Sequence, residues 1–455
     1  MSAAPVIAIF DVGKTNKKLF LFDSDYKMVF EKSAKFTETV DEDGEDCENL
    51  ESLRLSLFDS LKEVERIKEF DIRAISFSTY GASFVHIDED GEPLTPLYNY
   101  LKIYPEALSR QFYETYGGQA SFTHLTASPV LGSLNSGMQL YRIKFERPEL
   151  FEKIRYALHL PQYLSYLLTG IPCSDITSIG CHTNLWNFYE NAYHQWVSQE
   201  GILSKLAPIL PGNKVLPAVI AGKHYLAGIG LHDSSAALIP YLVNFNEPFV
   251  LISTGTWCIS LNPFNQVPLT TDELQNDCLC YITYEGKHVK ASRLFAGHEH
   301  EEQVKKIAAH FNQDPISYSS MAYDARLISL LQHPPRSKPV NLMDSGFSQR
   351  ELSTFNTGAA AYHQLMQDIM VQQCFSTQLV LEGTTTKRIF VDGGFSKNSI
   401  YMNLLAQYFP GIEVFAASLA QATAIGTALS IHQSWNSKTL PNDLIELKYY
   451  SRAMH

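Results

Sequence analysis

The chain opens with an apolar run at residues 6–10, which breaks at Asp11 and Gly13, passes through Lys14, Thr15, Asn16 and Lys17, and resumes at residues 19–22. Two β-rich runs around a short polar tip predict a hairpin. Residues 27–35 read as a further strand and residues 39–48 as an acidic loop. Leu50, Leu53, Leu57, Leu61, Val64 and Ile67 recur at helical spacing, so a helix with one buried face follows. Residues 72–77 form a short buried strand, residues 78–83 are small and polar, and residues 84–88 resume strand character. Three helices follow: residues 135–145, a segment opened by Pro148, and residues 161–168, which end at Gly170.

The second half repeats the opening pattern. Residues 249–261 are strand, hydroxyl-and-glycine turn, then strand, and Gly255 stands where Gly13 stands in the first hairpin. Residues 294–311 predict a helix with His298 and His300 on a solvated face, and residues 334–339 a proline-marked loop. A long helix is expected over 356–380, then a strand at 388–391, a glycine-rich turn at 392–398, a helix at 400–409 and a strand at 412–416. Residues 420–428 form a helix of very small residues, suited to brace that glycine turn. From Trp435 onward the chain reads as a terminal helix or tail.

At 455 residues the chain holds two sizeable cores, with domains expected at 1–238 and 239–455. A net charge of -12 excludes a general nucleic-acid binder, which needs a basic face to displace counterions. Seven cysteines, an odd number, read as reduced thiols rather than a disulfide framework. No basic-then-apolar leader and no bilayer-length apolar run stands in the sequence, so the expected compartment is the cytoplasm, without a membrane partner. Cys181 and His182 lie side by side in a polar loop, but without further ligands near them in the sequence they read as packing.

The candidate chemistry lies in the turns. Gly13 lets backbone approach a phosphate, Thr15 and consecutive N–H groups can donate to it, and Lys14 or Lys17 can offset its charge. The same residue types also make ordinary hairpin turns. Gly13-Lys14-Thr15 looks like the end of a P-loop, but Ala8 stands where that motif needs its first glycine, and no helix follows. Asp11 at a strand end suits magnesium. Asp233, where glycines give way to a helix of small residues, is either an N-cap or a catalytic carboxylate. The strand, glycine turn and helix around Gly393 and Gly394 suit a nucleotide.

Taken in order, Asp11-Val12-Gly13-Lys14-Thr15-Asn16, Gly230-Leu231-His232-Asp233-Ser234-Ser235-Ala236, Ser253-Thr254-Gly255-Thr256-Trp257 and Asp392-Gly393-Gly394 resemble the motifs of the FGGY carbohydrate kinases. Thr79-Tyr80-Gly81-Ala82-Ser83-Phe84-Val85 and residues 160–170 are most similar to the rhamnulokinase and fuculokinase branch. Ser83 replaces an acid of that branch and Tyr98-Asn99-Tyr100 a Tyr-Arg-Asp pattern, while Phe295 lies near an amide position.

The resemblance implies an α/β fold of two ribonuclease-H-like domains, of the actin and hexokinase superfamily, facing a central cleft. It implies ATP and Mg2+ as cofactors and a small-molecule sugar as substrate, with a homodimer as the candidate assembly. Asp233 would be the general base, Asp11 the magnesium residue, and Gly13, Lys14, Thr15, Asn16, Lys17, Thr254, Gly255 and Thr256 the phosphate contacts. Gln303, Gly393, Gly394 and Asn398 would complete the nucleotide site, and Gly81, His232 and Ser234 would touch the sugar with Asp233. L-rhamnulose or L-fuculose is the expected sugar. Xylulose, ribulose and a non-catalytic nucleotide-gated sugar-binding module are the alternatives.

Overall fold

A computed structural model describes residues 3–14, 17–34, 37–331 and 345–451. Thr15, Asn16 and the expected loop at 334–339 lie outside the described residues. The chain divides into two compact units, and the division differs from one cut after residue 238. The first unit comprises Met1–Asn244, Cys280–His288 and Gln421–Leu444; the second comprises Phe245–Leu279, Val289–Ala420 and Ile445–His455.

In the first unit Ala4–Val12 and Lys17–Asp23 form the expected antiparallel hairpin, with Val12 opposite Lys17, and Met28–Ala34 pairs with its second strand. Phe70–Thr79 runs parallel to the first strand on its other side, placing Asp11 opposite Ser78 and Val12 opposite Thr79. The short strand Leu231–His232 joins Phe70–Thr79 in parallel, with His232 opposite Thr79. Asp11, Ser78 and His232 therefore stand together at the carboxyl ends of parallel strands, where open α/β sheets bind ligands.

Residues 6–10 are continuously apolar because they are buried on both faces of the sheet. The helix Leu50–Val64 covers one face. Asn49 caps it by accepting the Ser52 N–H at 3.0 Å, and Leu53, Leu57, Leu61 and Val64 are buried beneath it. Pro148 and Pro161 open helices, and Gly170 at φ 66° closes the second.

Four expectations are corrected. The acidic stretch is not a loop but a hairpin of Glu38–Val40 and Asp46–Glu48, which buries Glu48. Two helices, Glu106–Thr115 and Gln119–Thr126, lie where no element was expected; their packing is aromatic, with Phe112 among Phe122, Tyr141 and Trp196, rather than a leucine stripe. The small-residue helix Ala422–Ser430 packs on the Asp233–Asn244 helix, and a Cβ on Gly426 would lie 1.9 Å from the Ala236 carbonyl oxygen. The tail supplies an edge strand, Glu446–Tyr450, antiparallel to Glu413–Ser418.

The second unit repeats the plan of the first. Its strands run in the order His288–Leu294, Cys258–Asn262, Phe249–Thr254, Arg388–Gly393, Glu413–Ser418 and Glu446–Tyr450. Cys258–Asn262 lies antiparallel to both Phe249–Thr254 and His288–Leu294, and Arg388–Gly393 lies parallel to Phe249–Thr254. The helix Gly358–Leu381 is the centre of its core, burying Leu365, Met366 and Ile369. Among the described residues no helix is long and apolar enough to cross a membrane.

Candidate active site

Asp233 is the first residue of its helix, but its carboxylate does not reach into the following turn as a cap does. Its Oδ1 accepts the Ser234 N–H at 2.6 Å and the Ser234 hydroxyl at 3.3 Å. Although 36% of its side-chain surface is open, surrounding protein atoms remove enough water to raise its carboxyl from 3.8 to about 6. Asp11 is raised to about 6 as well, mainly by burial and further by the Asp233 charge, against a lowering hydrogen bond from Ser78 Oγ at 2.9 Å. Two neighbouring carboxylates held at this level suit a hard cation. Asp11 fits magnesium through oxygen, with water completing the coordination.

His232 is positioned by a chain of hydrogen bonds absent from the sequence reading. Buried Asp175 caps the short helix Ile176–Ile179 and accepts the Thr177 hydroxyl, whose oxygen accepts the His232 N–H at 3.0 Å. Burial lowers the His232 imidazole to about 4, so it is neutral at pH 7, as expected of a hydrogen-bonding residue. Gly81 makes room for it, since a Cβ there would lie 2.4 Å from the His232 ring.

The first turn is anchored by Glu48. Lys14 Nζ lies 3.6 Å and Lys17 Nζ 3.2 Å from its carboxylate, and Tyr80 donates to it at 3.0 Å. Glu48 sits in a stretch that reads only as acidic, so nothing in the local pattern marked it.

Near Gly81, Ala82 accepts a hydrogen bond from Gln139 Nε2 at 2.8 Å. Gln139 lines a pocket of about 250 Å³ with Tyr98, Asn99, Ser133 and Arg147, and its buried Oε1 has no hydrogen-bond partner. Ser83 does not line it, because its hydroxyl is buried and donates to the Tyr98 carbonyl. Phe295, in the second unit, packs on Trp257 and His298.

In the second unit two motifs far apart in sequence become neighbours, because Thr254 pairs with Gly393 and Ser253 with Asp392 in parallel strands. The Thr254 hydroxyl bridges them, donating to the Asp392 carbonyl at 2.5 Å and accepting the Phe395 N–H at 3.0 Å. It is thus committed within the protein, while Gly255, Thr256, Gly393 and Gly394 are exposed. Gly393, at φ 86°, admits no side chain, since a Cβ would lie 1.9 Å from the Thr254 carbonyl oxygen. At Gly394 a Cβ would meet nothing within 4 Å, and at Gly255 only the Trp257 carbonyl oxygen at 3.9 Å, so both turns border open space that fits a nucleotide's phosphates.

Gly297, not singled out in the sequence, seats the helix Ala296–Phe311 on this turn, for a Cβ there would lie 1.8 Å from the Gly255 oxygen. Gln303 is buried and donates to Glu299 at 3.5 Å. The Asn398 oxygen caps the helix Ser399–Tyr408, and its amide donates to Tyr362 at 2.7 Å, so its side chain faces inward. His298 lies on a solvated face as expected, but His300 turns inward to Tyr362 at 2.9 Å.

Residues 6–234 match the N-terminal domain of the FGGY family of carbohydrate kinases, and residues 246–439 match the carbohydrate kinase FGGY C-terminal domain. A rhamnulokinase of Oceanobacillus iheyensis is 22% identical over 78% of this chain and 77% of its own length. The structure of a carbohydrate kinase from Novosphingobium aromaticivorans superposes with a TM-score of 0.79 at 22% identity, covering 99% of this chain and 94% of that one. A xylulose kinase from Lactobacillus acidophilus gives 0.76 at 16% identity, with 98% and 94% covered.

Proposed function

The chain belongs to the FGGY family of carbohydrate kinases, and from that premise we propose that it transfers the γ-phosphoryl group of ATP to a hydroxyl of a ketose or 6-deoxyketose, with L-rhamnulose or L-fuculose first in order. The observation that carries the reading is the Asp233 carboxylate. It begins a helix without capping it, keeps part of its surface open, and is raised to about 6 beside Asp11. At pH 7 such a group is ionised and still more basic than an ordinary aspartate, the condition a general base needs.

In this reading Asp233 takes the hydroxyl proton as the sugar oxygen attacks the γ-phosphorus, and ADP leaves with the bridging oxygen. His232, neutral, and Ser234 orient the sugar, and Gly81 keeps the space that the His232 ring occupies. The Gln139 oxygen, buried and unbonded, is a further acceptor for a sugar hydroxyl. Lys14 and Lys17, held by Glu48, stand at the first phosphate turn with Gly13, and the sequence motif adds Thr15 and Asn16 as phosphate contacts. Gly255, Thr256, Gly393 and Gly394 offer the second unit's backbone to the nucleotide, with Thr254 bridging their strands. Magnesium, when bound at Asp11, supplies charge neutralisation for the phosphates.

Support for the sugar comes from the rhamnulokinase relative and from the segments around Gly81 and Leu160. Xylulose, which the xylulose kinase likeness supports, or ribulose is the second reading. A coupled ADP-release screen against L-rhamnulose, L-fuculose, D-xylulose, L-ribulose and D-fructose separates the two. Asp233→Asn should retain ATP binding while phosphorylation falls by about 10²–10⁴-fold; turnover near that of the unaltered protein would remove Asp233 from the mechanism.

A further inference from the structure

Cys181 and His182 have no third ligand near them in the sequence, but the fold supplies one from fifty residues on. Cys181, His182 and His232 are all buried, and one ligand atom from each lies within 4.8 Å of the others. The Cys181 sulfur is 3.2 Å from His232 Nε2, and that same nitrogen is 3.3 Å from Asp233 Oδ1. Ligands on a tetrahedral zinc ion stand roughly 3.5 Å apart, given Zn–N near 2.0 and Zn–S near 2.3 Å. The cluster therefore needs only small side-chain movements to close on an ion.

Two further features prepare the donors. His182 directs Nδ1 at the Leu134 carbonyl oxygen, 3.2 Å away, which fixes that nitrogen as the donor and turns the lone pair to Nε2. Tyr281 walls the cluster, stacked on His232 at 5.8 Å and edge-on to His182 at 6.3 Å.

We propose that Cys181, His182 and His232 form a binding site for a soft divalent cation of the zinc class, with Asp233 or water as the fourth ligand, and that occupancy inhibits sugar phosphorylation. One thiol and two imidazoles select zinc over magnesium, because thiolate is a soft donor and magnesium requires oxygen. Binding forms a metal–sulfur bond and releases the Cys181 thiol proton to solvent. Inhibition follows because the ion occupies the His232 nitrogen and lies against the carboxylate that must accept the sugar proton. This consequence rests on the kinase reading; the site itself does not.

Cobalt(II) reports on such a site without any enzymatic assay. Titrated into the chelator-treated protein without nucleotide, it should give one equivalent of tetrahedral absorption with a thiolate-to-cobalt charge-transfer band, bleached by zinc. Cys181→Ser should abolish that band, and His182→Ala should weaken cobalt binding by more than about 100-fold, beyond the roughly 10–100-fold expected from losing a mere outer partner. In the kinase assay with excess magnesium, zinc should inhibit the unaltered protein, and the ratio of rates with and without zinc should approach one in Cys181→Ser. A missing charge-transfer band, or a band retained in Cys181→Ser, overturns the site. Equal zinc inhibition in both proteins overturns the inhibitory role. A cobalt band in a protein that phosphorylates none of the sugars would instead overturn the choice of sugar and uphold the site.

Discussion

At the scale of single residues, Asp233 and Asp11 set the expected pH behaviour. Both carboxyls are raised to about 6, and the Asp233 charge adds to the rise at Asp11, so the acid limb belongs to the pair. The value of kcat/KM should fall as pH drops through about 6, more steeply than for one proton, and a pH-rate profile with saturating Mg-ATP checks this. Stability carries the opposite sign. A carboxyl with a folded value above its unfolded 3.8 is penalised in the folded state once ionised, fully above pH about 6 and not at all well below pH about 4. Asp233→Asn should therefore raise Tm at pH 8 and leave it unchanged at pH 3.5, as read by thermal melts at both values. Glu48 behaves differently, because it neutralises two lysines and accepts from Tyr80. Its replacement by Gln leaves those cations facing a neutral partner in a largely buried place, and should cost about 3 kcal/mol in a urea titration.

At the scale of elements, the site depends on where strands end and how closely neighbours approach. Gly393 lies at φ 86° against the Thr254 carbonyl, so Gly393→Ala has both a disfavoured backbone conformation and a collision with the adjacent strand. The strand ends that carry Thr254 and Asp392 would separate, and ATP affinity should fall by at least about tenfold, or 1.4 kcal/mol, in a nucleotide titration. The helix Leu50–Val64 is a contrasting case, for its role is burial alone. Leu57→Ala should lower stability by about 3 kcal/mol, the usual cost of a buried leucine, and leave the KM for ATP unchanged.

At the scale of the molecule, chain order and spatial grouping diverge. The segment Gln421–Leu444 follows the second unit in sequence yet belongs to the first. There Gly426 lies against Ala236 on the Asp233 helix, Tyr26 hydrogen-bonds His432 at 2.7 Å, and Trp435 packs edge-on to Tyr26. Truncation after Ala420 therefore uncovers the back of the helix that carries Asp233. The truncated protein should lose the cooperative unfolding of its first unit, seen as early protease cleavage within residues 1–244, rather than merely lose a tail.

The two hairpins, the strand–turn–helix at Gly393 and the leucine-striped helix are legible along the chain, because each rests on a local period or on a residue whose backbone preference acts within a few positions. So is Asp233, through the abrupt passage from glycines to a helix of small residues. Glu48, Thr177, Gln139 and Gly297 were not legible, since their importance lies in partners brought to them by strand pairing and helix packing. The two aromatic-packed helices before residue 127 lacked a leucine stripe, and the final strand needed a neighbour to pair with. Cys181 and His182 show the division most sharply. Two adjacent residues are no metal site, and only the parallel pairing of Leu231–His232 with Phe70–Thr79, together with the short helix that Asp175 caps, brings the His232 imidazole to the Cys181 sulfur. Local pattern specifies elements because its causes act along the chain. Tertiary structure decided which distant donors share one small volume, and on that depends the chemistry of the site.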